Sequence, residues 1–286
     1  MIVDCHVHVN NYEDERVANL PDQVAALNRA LRLNRVDIAV ILTSYKVTPG
    51  RPSTLAVLEA VRDHPHLYVV AGLSYEDFTP AELDALEQHV ASGKLKGLKL
   101  YPGYQPFYPA DVRWDAAYAF AARHRLPVMI HTGDTYDPHG KVKYAHPLHV
   151  DDAAVDHRDV QFVICHLGNP WIRDCMEVVY KNANVYADLS GFVLGNFTDR
   201  FEQYMRRQVE DVLVYGVEPT KVLFGTDWPI ASMESYLEFM DQLALPPADR
   251  QRIMSDNALE LFRIDPASSL LAGGSVAGSW WRRERR

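Results

Sequence analysis

The sequence predicts an α/β chain closed into a (β/α)8 TIM barrel, and two observations carry that prediction. Short apolar runs rich in β-branched residues recur eight times at fairly even spacing, and stretches of helical periodicity lie between them. The runs are near-continuous in hydrophobicity, as parallel strands covered by helices require. In order they read IVDCHVHV from Ile2, VDIAVILT from Val36, LYVVAGLS from Leu67, LKGLKLY from Leu95, PVMIHTG from Pro127, VQFVICHLG from Val160, NVYADLSG from Asn184 and KVLFGTDW from Lys221.

The intervening stretches carry helix signals. PDQVAALNRALRLN opens on Pro21 and places Val24, Leu27 and Leu31 on one side. TPAELDALEQHVASG offers Thr79 as an N-cap, Pro80 in the first turn, Leu83, Leu86 and Val90 as the buried stripe, and Gly93 past the end. DVRWDAAYAFAARHRL repeats the pattern with Trp114, Ala117, Tyr118 and Ala121. Further helices are expected after Leu148, Pro170, Asn196 and Met233, and SDNALELFRI from Ser255 reads as a closing helix. Right-handed crossovers wrap such units into a barrel. The competing fold is an open doubly wound sheet, but no G-x-G-x-x-G fingerprint follows the first strand, so its usual dinucleotide-binding version loses support. Residues 1–265 are read as one domain. Residues 266–286, rich in small residues and then basic in SWWRRERR, are read as a flexible tail.

Composition narrows the function classes. With 48% hydrophobic and 23% charged residues, the 286-residue chain can bury a substantial core. A net charge of −9 argues against a general nucleic-acid binder, which needs a basic surface to release counterions from phosphate. No apolar stretch is long enough to span a bilayer, and the chain opens on no secretory segment. Three cysteines, Cys5, Cys165 and Cys175, make no paired disulfide framework, so the reducing cytoplasm is the expected compartment. The expected partner is a small-molecule substrate, without nucleic acid or membrane, and a homo-oligomer is compatible with the sequence.

Reactive side chains fall where strands end. His6 and His8 are two apart on the first run, so both project to one face and can reach one ion. Alone, such a pair is more commonly two ordinary hydrogen-bonded imidazoles than a ligand pair. Four more groups change its weight. His131 ends the fifth run, His166 the sixth and Asp227 the eighth, and Lys99 lies near the end of the fourth, at the carboxyl rim where barrel enzymes place their chemistry. Imidazoles plus a carboxylate form the ligand set of zinc, or of manganese or iron, with an open coordination position. Each residue also has an ordinary structural reading: Asp227 as a turn cap, His166 as a satisfied core histidine, Lys99 as a lysine reaching solvent or pairing with an acid. Around the rim, Tyr101 in KLYPGYQPFYP and Trp171 with Arg173 after GNP could wall a substrate pocket, Arg173 meeting a carboxylate. They could equally pack loops onto the barrel. Cys5 and Cys165 neighbour histidines on their strands and are expected to point the other way, as buried hydrophobes.

Taken in order, DCHVHV, IHTGD, CHLGNPW, ADLSG, LFGTDWP and NALELF resemble the amidohydrolase superfamily, and within it the amidohydrolase-related branch that includes aminocarboxymuconate-semialdehyde decarboxylase-like enzymes. The resemblance runs from Met1 to about Ile264. It implies a distorted barrel holding one or two divalent ions, most often zinc. His6, His8, His131 and Asp227 would be ligands. His166 would ligate a second ion or orient water and substrate, and Asp227 would also take the proton of the attacking water. In binuclear members a carboxylated lysine bridges the ions, a role open to Lys99; the decarboxylase-like branch usually has one ion and no such lysine. The reaction implied first is hydrolysis of an amide, ester or lactone. Non-oxidative decarboxylation or hydration is the alternative, and a silent barrel used as a binding module is a third reading from another class.

Overall fold

The computed structural model describes residues 1–14, 16 and 19–269. Eight parallel strands follow one another in sheet order: β1 (Val3–Val7), β2 (Ile38–Leu42), β3 (Leu67–Gly72), β4 (Leu95–Leu100), β5 (Val128–Ile130), β6 (Phe162–Ile164), β7 (Val185–Asp188) and β8 (Val222–Leu223). Every run picked from the sequence contains its strand, trimmed at the ends. The last strand is only two residues long, and closure passes to single bonds: Cys5 N donates to Phe224 O at 3.0 Å, Asp227 N to His6 O at 2.8 Å, and His8 N to Trp228 O at 2.7 Å. The ring closes as a barrel and not as an open sheet.

The helices that follow the strands in turn are α1 (Leu20–Asn34), α2 (Thr54–Ala60), α3 (Pro80–Ala91), α4 (Asp115–His124), α5 (Leu148–Asp156), α6 (Ile172–Lys181), α7 (Asp199–Tyr215) and α8 (Met233–Gln242). Each buries the stripe its sequence spells: Val24, Leu27 and Leu31 on α1, and Trp114, Ala117, Tyr118 and Ala121 at α4. Two details differ from expectation. Thr79 stands at the N-cap of α3 but its hydroxyl makes no capping bond, and Val90 is only partly buried. The seven-residue α2 was not singled out in sequence. The chain then runs through α9 (Pro247–Gln251), a π turn over Arg252–Asp256, and α10 (Asn257–Leu261). Asn257 fixes this closing segment to the short β8 by donating to Pro219 O and Val222 O, both at 2.7 Å.

Residues 266–286 divide. Pro266–Ser269 form a last short helix, α11, with Ser269 buried and hydrogen-bonded to the Tyr68 hydroxyl. The remainder of the expected tail, 270–286, lies outside the described residues.

Two apolar clusters make the core. The larger lies between strands and helices; the smaller fills the barrel with Val3, Cys5, Val40, Val70, Met129, Val163 and Cys165, and Phe262 and Ile264 belong to it. The pairing register of β1 shifts between Asp4 and Val7. That irregularity breaks strict alternation, so Cys5 shares the barrel interior with His6, contrary to the expectation that it would point away.

Candidate metal centre and active site

His6, His8, Lys99, His131, His166 and Asp227 all line one cavity of about 790 Å³ at the carboxyl end of the barrel. The ligand-type atoms of His6, His8 and Asp227 lie within 4.8 Å of one another, and all three residues are buried. His8 Nε2 is 3.0 Å from Asp227 Oδ1, and His6 Nε2 is 3.7 Å from the same oxygen. The opposite nitrogen of each ring is fixed from behind. His6 Nδ1 is 2.9 Å from Asp188 Oδ2, and His8 Nδ1 is 2.7 Å from Leu42 O. Those oxygens can only accept, so each Nδ1 carries the hydrogen and each Nε2 turns a lone pair toward Asp227. Burial lowers His6 to about 4, against the pull of Asp188, which keeps the ring neutral. Burial alone would raise the Asp227 carboxyl; His8, His6 and His166 hold it well below the usual carboxylate range only where a ring turns a proton toward it, and the burial of His6 opposes that. Three lone-pair donors packed this closely repel one another unless a cation stands among them.

His131 and His166 show the same conflict. His131 Nε2 is 3.0 Å from Asp134 O, and His166 Nδ1 is 3.1 Å from Ser190 O. Both of those nitrogens must donate. The bare pair left over, His131 Nδ1 and His166 Nε2, face each other at 3.2 Å. A hydrogen bond there needs one ring protonated, and burial pushes both rings toward neutrality. The donor set therefore fits a divalent metal. Three of the four ligands expected from sequence converge on one point. The fourth, His131, meets them through His166, whose ring centre is 5.0 Å from those of His131 and His6.

The strand ends hold this arrangement by backbone means. His166 and Asp227 adopt φ of 62° and 68°, a left-handed conformation that costs a non-glycine residue about 1–2 kcal/mol. Their amides anchor it: His166 N donates to Asp188 Oδ1 at 2.9 Å, and Asp227 N to His6 O at 2.8 Å. Gly191, at φ 67°, passes so close behind that a Cβ there would stand 2.3 Å from His166 Nδ1 and 3.1 Å from Asp227 Oδ2. Only glycine fits.

Sequence reasoning missed Asp188 and Ser190, which tie the two histidine systems together. Fully buried Asp188 accepts from His6 Nδ1, His166 N, Ser190 N and the Ser190 hydroxyl, the last at 2.5 Å. Burial would raise its carboxyl, but the His6 imidazole beside it holds it far below the usual range. Ser190 Oγ lies 2.9 Å from both His6 Nδ1 and His166 Nδ1. The signal was available, since Asp188 ends β7 as His131 and Asp227 follow the ends of β5 and β8. Asp4 was also missed. It staples β1 to the segment after β8, accepting from Thr226 Oγ1 at 2.6 Å and Thr226 N at 3.1 Å.

Lys99 is 1% exposed, and its ammonium donates to Cys165 Sγ at 2.7 Å. Cys165 thus faces the barrel interior, within reach of His6 and Asp188. Burial pushes its thiol far up, and His6 Nδ1 is already committed to Asp188, so this trio is a hydrogen-bonded network and not a second ligand set.

The loop after β4 splits its aromatic residues. Tyr101 and Tyr104 line the cavity, Tyr104 lying 4.7 Å from the His131 ring, whereas Phe107 packs in the core at 5.1 Å from Trp114. Trp171 and Arg173 do not line the cavity. Helix α6 buries Ile172, Cys175, Met176 and Val179, which turns Arg173 outward, 75% exposed and 4.0 Å from Asp211. Trp171 instead packs on His146, ring centres 4.7 Å apart. The cations that do reach the cavity from the loop after β2 are Lys46 and Arg51.

The chain's solved relatives share its fold. No curated protein matches it in sequence. Among solved structures it is similar to an uncharacterised TIM-barrel protein of Bordetella bronchiseptica (TM-score 0.69, 20% identity, covering 94% of this chain and 99% of that one). It is also similar to 5-carboxyvanillate decarboxylase of Sphingomonas paucimobilis (0.66, 12%, 92% and 99%). A third is a probable 2-pyrone-4,6-dicarboxylic acid hydrolase of Acinetobacter baumannii with citric acid bound (0.65, 18%, 92% and 99%). At such identities the likeness is one of fold. The model of the amidohydrolase family matches residues 3–264, and the chain belongs to that family as an enzyme of the amidohydrolase superfamily.

Proposed function

We propose that the protein is a metal-dependent hydrolase that acts on an amide, ester or lactone bond of a small organic substrate. The observation that carries this reading is the set of bare lone pairs turned inward: His6 Nε2, His8 Nε2 and the Asp227 carboxylate, with His131 Nδ1 and His166 Nε2 beside them. A divalent ion held there, zinc first and manganese or iron as alternatives, would lower the pKa of a bound water to about 7 and polarise a carbonyl. The chain's own groups do the rest. Asp227, kept ionised, accepts the proton of the attacking water. Neutral His166, its Nδ1 hydrogen held by Ser190, offers Nε2 to relay a proton toward the leaving group. Tyr101 and Tyr104 form an apolar wall that limits water around the reacting carbon.

Zinc-loaded protein assayed on ester, lactone and amide panels in ¹⁸O water should place the label in the new carboxyl group. Release of carbon dioxide from carboxylic acid panels, without label uptake, would assign the decarboxylase reading and overturn this one. We also propose a cytoplasmic setting, which suits three free and buried cysteines. No helix among the described residues is long and apolar enough to cross a membrane.

A further inference from the structure

The far end of the barrel carries a second cleft of about 430 Å³, built from cations. It gathers Arg62, Lys94, Lys96 and Arg263 around Tyr68 at the start of β3. Lys96 is the second residue of β4 and Lys99 the fifth, so one strand offers an ammonium toward each end of the barrel. We propose that this cleft binds a small oxyanion of the phosphate class, free or as the phosphate group of a small metabolite.

Its charge is left unbalanced. Among the described residues, Lys94, Lys96 and Arg263 form no ion pair, while Arg62 is committed to Glu59 at 2.6 Å and Asp63 at 3.6 Å. Asp265 shares the rim and accepts from the Ala267 amide at 3.0 Å, so the lining sets four cations against the two carboxylates of Asp63 and Asp265. Lys94 spends two of its three N–H groups on His64 O (2.6 Å) and Leu67 O (3.1 Å), and Lys96 spends one on Arg263 O (3.0 Å). Three charged donors therefore stay available to a ligand.

The two ammoniums are also held in place. Both stand against the Tyr68 ring, 5.4 Å and 5.1 Å from its centre, and the ring is fixed through its hydroxyl to Ser269. Burial pushes both lysines below their ordinary range; at Lys94 the Asp63 carboxylate opposes this and Lys96 adds to it, and at Lys96 Arg263 adds to it. Holding like charges together in a chain of net charge −9 has a physical use if an oxyanion completes the cluster. The cleft has room for a phosphate with a small organic group attached.

The test is calorimetric titration of the full-length, metal-loaded protein at low ionic strength with inorganic phosphate and with glycerol 3-phosphate. Saturable one-to-one binding is expected, weakened about tenfold or more in Lys94→Met/Lys96→Met, whose alkyl stems still cover Tyr68. Arg263→Gln, which keeps the main-chain carbonyl that holds Lys96, should weaken binding severalfold without a folding ambiguity. Asp227→Asn should bind as wild type does. Tighter binding of the ester would name a phosphorylated metabolite, and equal binding would name the phosphate group alone. No saturable binding up to roughly 20 mM, unchanged affinity in these basic-cleft variants, or loss of binding in Asp227→Asn would overturn the proposal.

Discussion

Asp227→Asn is expected to abolish turnover, by about 10³-fold or more, while the barrel stays folded. The substitution keeps the shape of the side chain and removes its charge. Metal content after purification should fall below about half an equivalent, since two imidazoles alone make a weak site. The fold should survive because the residue closes the barrel through its backbone amide on His6 O at 2.8 Å, and not through its carboxylate. A second sign follows from the lone pairs. Without metal, the Asp227 carboxylate faces His8 Nε2 at 3.0 Å, so the metal-free variant should melt no lower than metal-free wild type. Wild-type turnover with full metal occupancy in the variant would remove Asp227 from both roles.

Asp188→Asn should have the next largest effect, although its carboxylate is not one of the three atoms converging on the proposed ion. An asparagine oxygen can still accept from His166 N and Ser190 N, but its amide nitrogen would then confront His6 Nδ1. Two donors cannot pair, so His6 must flip its tautomer and present Nε2–H to the site. Metal affinity measured against a competing chelator should fall about 10–100-fold, and turnover with it. Replacing the charge-assisted bond from His6 by a neutral one costs about 1–3 kcal/mol, which circular dichroism melts would register. Unchanged metal affinity beside a lowered melting temperature would make Asp188 a purely structural residue.

How much of this was legible in sequence depended on whether a residue obeyed a local period. The helical stripes did, because burial on one face imposes a repeat of 3.6 residues, and the eight strands showed as near-continuous apolar runs because both their faces are buried. The strand-end position of His131, His166 and Asp227 was legible for the same reason, and so was the pairing of His6 with His8. Asp188 escaped because it was read as part of an apolar run and assigned no work. Its importance comes from contacts made across 182 residues of sequence, which no spacing displays. Arg173 failed for the opposite reason: it lies near the rim in sequence, yet the stripe of α6 rotates it to solvent. Cys5 was misplaced by a register shift in β1. Lys99 was legible as a strand-end lysine, but not its burial, because its partner Cys165 comes from a different strand end and only the closed barrel brings the two together.

Anomalous X-ray scattering at the zinc and manganese edges, on crystals of protein purified without chelator, tests the central claim most directly. A peak is expected among His6 Nε2, His8 Nε2 and the Asp227 carboxylate, with His6 Nδ1 still on Asp188 and His8 Nδ1 still on Leu42 O. The number of peaks, with the density at Lys99 Nζ, would read whether one ion or two are held. Absence of any peak within reach of those three side chains, before and after soaking with zinc and manganese, would contradict it.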